Sequence, residues 1–289
     1  MKDLQRSRID DALNEIHKDI RAELPASQLA KVALYSEQHF HRVFRELVGE
    51  SVHSYIRRTR LEHAANQLTF DPHSPVQDIA EKCGFSSLSS FTRAFKQHFQ
   101  LTPGAWRKRD ERPQLQPWLA DDEIASGYRR IQHLDLPNPV FVEREPQTVA
   151  YVRHQGYGRS IRQAWQKLQA WAILERRDFS RQLGLHHSNP NWVPLKDCRY
   201  VACLEIDSPL LRRGSVNALT IPGGLHARFD LKGRYGELLP WISKINEEWL
   251  PRSGFRAQVT PAFVEYRQNH FLNEEETFDL SFFLPLSRF

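Results

Sequence analysis

Apolar residues recur at helical spacing through the first third of the chain. Along residues 3–21, Ile9, Leu13, Ile16 and Ile20 form one stripe, which predicts a helix. Ser27 is placed to cap a short second helix carrying Leu29, Ala30 and Ala33. Leu34-Tyr35 predicts a turn, and Ser36 the cap of a third helix. That helix turns Phe40, Val43, Phe44 and Leu47 inward and Gln38, Arg42 and Arg45 outward, and Gly49 can end it. Residues 51–68 predict a long helix, about 27 Å at ~1.5 Å per residue. Its core side carries Val52, Tyr55, Ile56, Leu61, Ala64, Ala65 and Leu68. Ser74-Pro75-Val76-Gln77 reads as a capping box opening a helix over 75–83. Gly84 can supply a left-handed turn, and Ser86 or Ser87 a cap. Leu88, Phe91, Ala94, Phe95 and Phe99 then face a core, with Ser89, Arg93 and Lys96 on the opposite side. Thr102-Pro103 opens a last short helix that ends in Arg107-Lys108-Arg109.

This region repeats itself. LAKVALYSEQHFHRVFRE (29–46) parallels IAEKCGFSSLSSFTRAFKQ (79–97) with one residue inserted in the second copy, so that Arg42 matches Arg93, Phe44 matches Phe95 and Arg45 matches Lys96. Each copy reads as a helix-turn-helix. A hydroxyl, a guanidinium and an ammonium on an exposed helix face suit base edges and phosphates. Two such units joined by a rigid helix suit two major-groove segments about one turn, ~34 Å, apart on one DNA face. A plain helical bundle has no reason to duplicate an outer Arg/Lys face.

Residues 111–137 sustain no period and read as a linker, with Pro113, Pro117, the acidic run Asp121-Asp122-Glu123 and then Arg129-Arg130. Beyond them strand and helix patterns alternate. Strands are expected at 146–156, 198–206, 262–269 and 277–286, and a pair at 218–233 around Pro222-Gly223-Gly224. Helices are expected at 158–176, with Ile161, Trp165, Leu168 and Trp171 or Ala172 inward, and at 234–250, kinked at Pro240. VAYVRHQGYGRSIRQAW (149–165) parallels HARFDLKGRYGELLPW (226–241), which predicts two halves about a pseudo-two-fold with a cleft between them. The fold expectation is therefore multidomain: an all-α tandem helix-turn-helix domain over 1–110, the linker 111–137, and an α+β domain over 138–289.

Composition narrows the function only slightly. Of 289 residues, 40 are Lys or Arg and 35 Asp or Glu, so the net charge of +5 tolerates nucleic acid without requiring it. Cys83, Cys198 and Cys203 have no metal-ligand spacing, and three unpaired thiols fit a reducing cytoplasm. The N-terminus lacks the apolar segment of a signal peptide, and no apolar run approaches the ~20 residues of a membrane helix. No metal site, cofactor or catalytic motif is expected; His186-His187 reads as a surface pair.

The residues of the first third resemble the AraC/XylS family of bacterial transcription regulators, most specifically along GFSSLSSFTRAFKQHFQLTPGAWR (84–107). The resemblance implies promoter DNA and RNA polymerase as partners, and regulation that is usually activation. It also implies base contacts by Gln38 and Arg42 in the first recognition helix and by Leu88, Ser89 and Arg93 in the second. Arg45, Ser90 and Lys96 complete the candidate DNA face. The chain departs from the family at Leu34, where relatives usually carry Gly in the first turn, and at Leu88, where they often carry Gln.

Residues 138–289 resemble the GyrI-like small-molecule-binding domain through CRYVACLEI (198–206), TIPGGLHARF (220–229), EEWLPRSGF (247–255) and a last strand ending LPL (284–286). That resemblance implies an aromatic cleft for cationic or planar organic molecules, with a Glu in the last strand. The matching position here is Ser281, and Asp279 lies two residues earlier on the same strand face. Trp165, Tyr235, Trp241 and Trp249 are the candidate aromatics, and Glu205 is either an outward strand residue or a pocket acid. Some relatives of this domain hydrolyse reactive ligands with a Glu, which makes a hydrolase one alternative. A protein-docking module is another.

Overall fold

The computed structural model describes residues 2–71, 73–108, 117–207, 210, 216–258 and 260–288, with the side chains of residues 2, 3 and 288 left aside. The chain divides into two compact units: Met1–Glu111 with Arg212–Asn217, and Arg112–Leu211 with Ala218–Phe289. The predicted end of the basic run, Arg109, and the linker's Pro113 lie outside the described residues.

The first unit is helical. Its elements are α1 (Lys2–Lys18), α2 (Ala26–Val32), α3 (Glu37–Val48), α4 (Val52–Phe70), α5 (Val76–Lys82), α6 (Leu88–Phe99) and α7 (Pro103–Arg107). The stripes are buried as their spacing predicts: Ile9, Leu13 and Ile16 on α1, Ile20 just beyond its end, and all seven core-side residues of α4. Phe40, Val43 and Phe44 of α3 are matched by Phe91, Ala94 and Phe95 of α6. Leu88, expected inward, is 43% exposed, because α6 starts there and its first turn projects beyond the core.

Three caps differ from expectation. Ser36 stands at the N-cap position of α3 but makes no side-chain cap bond. Ser27 lies inside α2, which is entered through Pro25. Ser74 does not cap α5: its hydroxyl donates to Asp71 Oδ2 at 2.6 Å, and α5 starts at Val76 after Pro75 with no side-chain cap. The nearby carboxylate is the stronger acceptor, so the capping box is not formed. Ser87 and Thr102 do cap, accepting from the backbone N–H of Ser90 and Ala105.

The second unit is an antiparallel sheet with helices on one face. Its strands are β1 (Val140–Arg144), β2 (Gln147–Gln155), β3 (Gln182–His186), β4 (Arg199–Glu205), β5 (Asn217–Ile221), β6 (Gly224–Arg234), β7 (Phe255–Ala257), β8 (Ala262–Gln268) and β9 (Thr277–Arg288). The helices are α8 (Asp122–Ile131), α9 (Ile161–Leu174) and α10 (Leu238–Lys244). The strand order is β1-β6-β9-β8-β3-β4-β2-β5, with β7 beside β9. The predicted repeat is visible in it. β2–α9–β3–β4 and β6–α10–β8–β9 are the same strand-helix-strand-strand unit, ordered β2-β4-β3 and β6-β9-β8, and they meet along the antiparallel seam β3·β8.

The leading strands are exchanged: β1 pairs with β6 of the second half, and β5 with β2 of the first. Only two residues join β1 to β2, although these strands stand near opposite ends of the strand order. Three peptide steps reach at most ~11 Å, so the sheet must curl until its ends approach. The inner face then closes on itself around Val149, Tyr151, Leu183, Leu185, Val201, Cys203, Ile221, Phe263 and Phe283.

The stretch expected to be a linker is ordered over 117–131. Pro117–Ala120 is a short 3-10 turn and Asp122–Ile131 the helix α8, capped by Asp121 and packed on α10. Trp118 is fully buried and donates from Nε1 to Asn191 Oδ1 at 2.8 Å. A Cβ at Gly127 would stand 2.2 Å from the Gly236 carbonyl oxygen, so glycine is what lets this helix approach that turn. Its inward stripe is Ile124, Gly127 and Ile131, with a glycine between the two isoleucines. Pro240 also departs from expectation. It sits in the first turn of α10, where its missing N–H leaves no bond unmade. The helix loses regularity later, in the π-turn Ile245–Trp249.

Candidate nucleic-acid interface and ligand cleft

The two helix-turn-helix units share their backbone bonds one for one. Ala33, Leu34 and Tyr35 donate to the carbonyls of Leu29, Lys31 and Ala30; Cys83, Gly84 and Phe85 donate to those of Ile79, Glu81 and Ala80. This pattern requires a left-handed residue at the middle of each triplet, and φ is 78° at Gly84 and 55° at Leu34. Leu34 therefore adopts the glycine conformation with its side chain 68% exposed. The turn is kept and the strain accepted.

After each turn the recognition helix presents the predicted face. Gln38, Arg42 and Arg45 of α3 and Leu88, Ser89, Ser90, Arg93 and Lys96 of α6 are all exposed. Among the described residues, Arg42, Arg45, Arg93 and Lys96 have no carboxylate partner. Ser90 is committed elsewhere, since its hydroxyl donates to the Ser87 carbonyl at 2.9 Å within the cap. Phe95 and Phe99 anchor α6 against Trp106 of α7, whose Nε1 donates to Thr69 at 3.0 Å.

Arg60, on α4, escaped the sequence reading. Its guanidinium donates to the carbonyls of Ile20, Ala22 and Gly84, at 2.9, 2.8 and 2.8 Å. One side chain of the connecting helix thus fixes both the end of α1 and the second turn. Nearby, Arg58 joins Glu50 and Glu62 at 2.8 and 2.5 Å and tethers the α3–α4 corner.

In the second unit the sheet separates the predicted ligand residues. Trp165 is fully buried on the helix face, edge-on to Tyr266. Trp241 is buried in α10, and Trp249 packs on Phe229. Tyr235 lies under the Arg159 guanidinium at 4.2 Å and lines a polar cavity of about 220 Å³ with Arg130, Arg159, Arg234, Glu275 and Glu276. Asp279 and Ser281 alternate with the helix-facing Leu280 and so belong to the other face. The structure does not bring the four aromatics and these two polar residues together.

Asp279 is neither in an aromatic cleft nor simply solvated. It pairs with Lys232 at 2.8 Å and Arg267 at 2.5 Å. Burial alone would raise its carboxyl, but hydrogen bonds from Lys232 and Arg267 outweigh that and hold it below the usual carboxylate range. Ser281 is buried, accepts from Arg267 at 2.8 Å and donates to Asp230 at 2.5 Å. The position at which the resemblance implies an acid thus carries a hydroxyl held between Arg267 and Asp230.

The same face carries an acid that the sequence reading left out. Glu265 of β8 lies opposite Ser281 of β9. It receives the Arg144 guanidinium at 3.0 Å, and Arg144 also donates to Gln147 at 2.6 Å. Gln147 in turn donates to Glu205 at 3.0 Å, and Glu205 pairs with Arg181, so Glu205 is a member of this polar rim.

Comparison with known proteins accords with both halves. Residues 137–287 match the GyrI-like small-molecule-binding domain. The chain belongs to the GyrI-like family. Ahead of its GyrI-like domain, residues 29–109 match a helix-turn-helix domain. The uncharacterized HTH-type transcriptional regulator YbfP of Bacillus subtilis (strain 168) is 37% identical over 99 residues, which cover 34% of this chain and 33% of YbfP. The transcriptional regulator Rob of Salmonella typhimurium is 35% identical over 103 residues, 36% of this chain and 35% of Rob. The probable transcription factor PqrA of Proteus vulgaris is 33% identical over 110 residues, 36% of this chain but 89% of PqrA. The matched part of the chain thus spans about a third of YbfP and of Rob. The AraC-type resemblance and the GyrI-like resemblance both hold. Among the described residues no helix is long and apolar enough to cross a membrane, and no cluster of His, Cys, Asp or Glu could hold a metal. His186, expected on the surface, ends β3 with both ring nitrogens buried and unpartnered, packed edge-on to Tyr157 and Tyr200. Cys83, Cys198 and Cys203 are buried and form no disulfide with one another.

Proposed function

We propose that the protein is a sequence-specific DNA-binding transcription regulator, and that its GyrI-like domain takes a small aromatic molecule that adjusts its activity. The observation that carries the first part is the duplicated cationic face. Arg42 with Arg45, and Arg93 with Lys96, stand exposed at equivalent positions of two helices entered through identical turns. Arginine reads guanine through two parallel hydrogen bonds, and a neighbouring cation holds phosphate. On this reading Gln38, Arg42, Ser89 and Arg93 meet base edges. Leu88 offers only an apolar contact, suited to a thymine methyl. Arg45 and Lys96 hold the backbone, and Ser90 serves the cap that aims α6.

The partners are double-stranded promoter DNA and RNA polymerase, the setting is the cytoplasm, and the effect is activation. The names of YbfP, Rob and PqrA support regulation rather than catalysis. The committed hydroxyl of Ser281, where the family carries a Glu, supports binding over hydrolysis in the second unit. Selection of bound sequences from random duplex DNA by the full-length protein tests the proposal. It predicts an enriched motif with two half-sites; recovery of no motif would overturn it.

A further inference from the structure

The inner face of the curled sheet holds a cation of its own. Phe263 and Phe283, opposite one another on β8 and β9, stack with ring centroids 4.8 Å apart and planes 11° from parallel. The Arg144 guanidinium lies over this pair, 4.4 Å from the Phe283 centroid and 5.3 Å from that of Phe263. Its Nη1 donates to Glu265 at 3.0 Å and its Nη2 to Gln147 at 2.6 Å. Aromatic faces with a carboxylate at their rim are the chemistry that binds a planar organic cation. Here one such cation is already seated, and it belongs to the chain.

We propose that Arg144 is a built-in occupant of the Phe263–Phe283–Glu265 seat and sets the specificity of the GyrI-like domain by excluding cations from it. This rests on the reading of the second unit as a small-molecule-binding domain, and it names the class of molecule that the unmodified protein turns away. The placement favours exclusion. Phe263 and Phe283 are only 1% and 3% exposed, so the ring faces under Arg144 are not otherwise open. The Arg144 side chain is 19% exposed and that of Glu265 47%, so the seat lies at the surface and its acid is within reach of solvent. An incoming cation must give up hydration and also displace a guanidinium that already has its aromatic and carboxylate contacts. β1 lies at the end of the strand order, paired only with β6, and Arg144 is its last residue. Removing the side chain therefore uncovers the seat without cutting through the sheet.

The test compares benzamidinium, a planar aromatic cation, with benzamide, its neutral counterpart. Calorimetric titration uses full-length wild type, Arg144→Ala, Arg144→Gln and the double variant Arg144→Ala/Glu265→Gln, each first shown to retain the wild-type circular dichroism and a cooperative melt. Wild type is expected to show no preference for benzamidinium. A folded Arg144 variant is expected to bind it at least tenfold more tightly than benzamide, and the added Glu265→Gln to remove that gain. If Arg144→Ala does not fold, Arg144→Gln decides. Wild type that already prefers benzamidinium, or a folded Arg144 variant without gain, overturns the proposal. Failure here leaves the regulator reading standing, because that reading is judged by site selection on DNA.

Discussion

The Arg60 guanidinium donates to the Gly84 carbonyl at 2.8 Å, and a Cβ at Gly84 would stand 2.8 Å from Arg60 Cζ. The second turn, the connecting helix and the end of α1 are therefore fixed by one side chain whose three acceptors are all backbone. Arg60→Ala leaves three carbonyls without that donor and is expected to destabilise the first unit by about 3 kcal/mol. Arg60→Lys should recover only part of this, because an ammonium on a flexible stem does not reproduce the guanidinium's planar fork. Urea denaturation followed by circular dichroism measures both. Equal stability of all three proteins would mean that Arg60 fixes nothing.

The paired turns give a test with opposite signs. Leu34→Gly removes a left-handed Cβ whose side chain packs on little, and is expected to stabilise by about 1 kcal/mol. Gly84→Ala introduces both a strained φ and a contact with Arg60, and is expected to destabilise by about 2 kcal/mol. Melting temperatures of the two variants should move in opposite directions.

The helical half was largely legible in the sequence because each stripe there is apolar, long and bounded by turn residues. Choices between neighbouring polar partners are not legible there, such as Ser74 bonding Asp71 instead of capping α5. In the second half, β1 and β3 are short, and α8 places a glycine within its inward stripe. The ligand residues failed for another reason. Periodicity shows that Trp165 and Trp241 are inside, but not which side of the sheet they are inside of. The Arg144–Glu265 pair joins residues 121 positions apart, and no local pattern announces it.

Base reading and phosphate holding separate by mutation. Arg93→Ala is expected to cost about 1–3 kcal/mol on the selected site and to relax preference within one half-site. Arg42→Ala should do the same in the other. Lys96→Ala should weaken all sequences alike and flatten the dependence of affinity on salt. Mobility-shift titrations against selected and scrambled duplexes distinguish these outcomes. An unchanged preference ratio in Arg93→Ala would contradict its assignment.

Acid should destabilise the fold before its carboxylates are protonated. Burial pushes His63 and His186 down to about 4, and His270, beside His186, to about 3. These rings are neutral in the folded protein and take up protons on unfolding below the ordinary pKa of ~6.5. Their contribution is complete above about pH 6.5 and falls as the pH drops from there toward 4. Thermal melts across pH 7.5 to 4.5 are expected to show a falling midpoint, and His186→Gln should flatten the slope. A midpoint constant over this range would contradict the neutral burial of these rings.

The central claim is that one chain reads DNA with two equivalent heads. Hydroxyl-radical footprinting of the full-length protein on its selected site tests this most directly, at concentrations where sedimentation shows a monomer. Helices α3 and α6, joined through α4, predict two protected segments on one face of the duplex, centred about 10 base pairs apart. Arg42→Ala should weaken one segment and Arg93→Ala the other. A single short protected segment, or protection that appears only once the protein dimerises, would contradict the account.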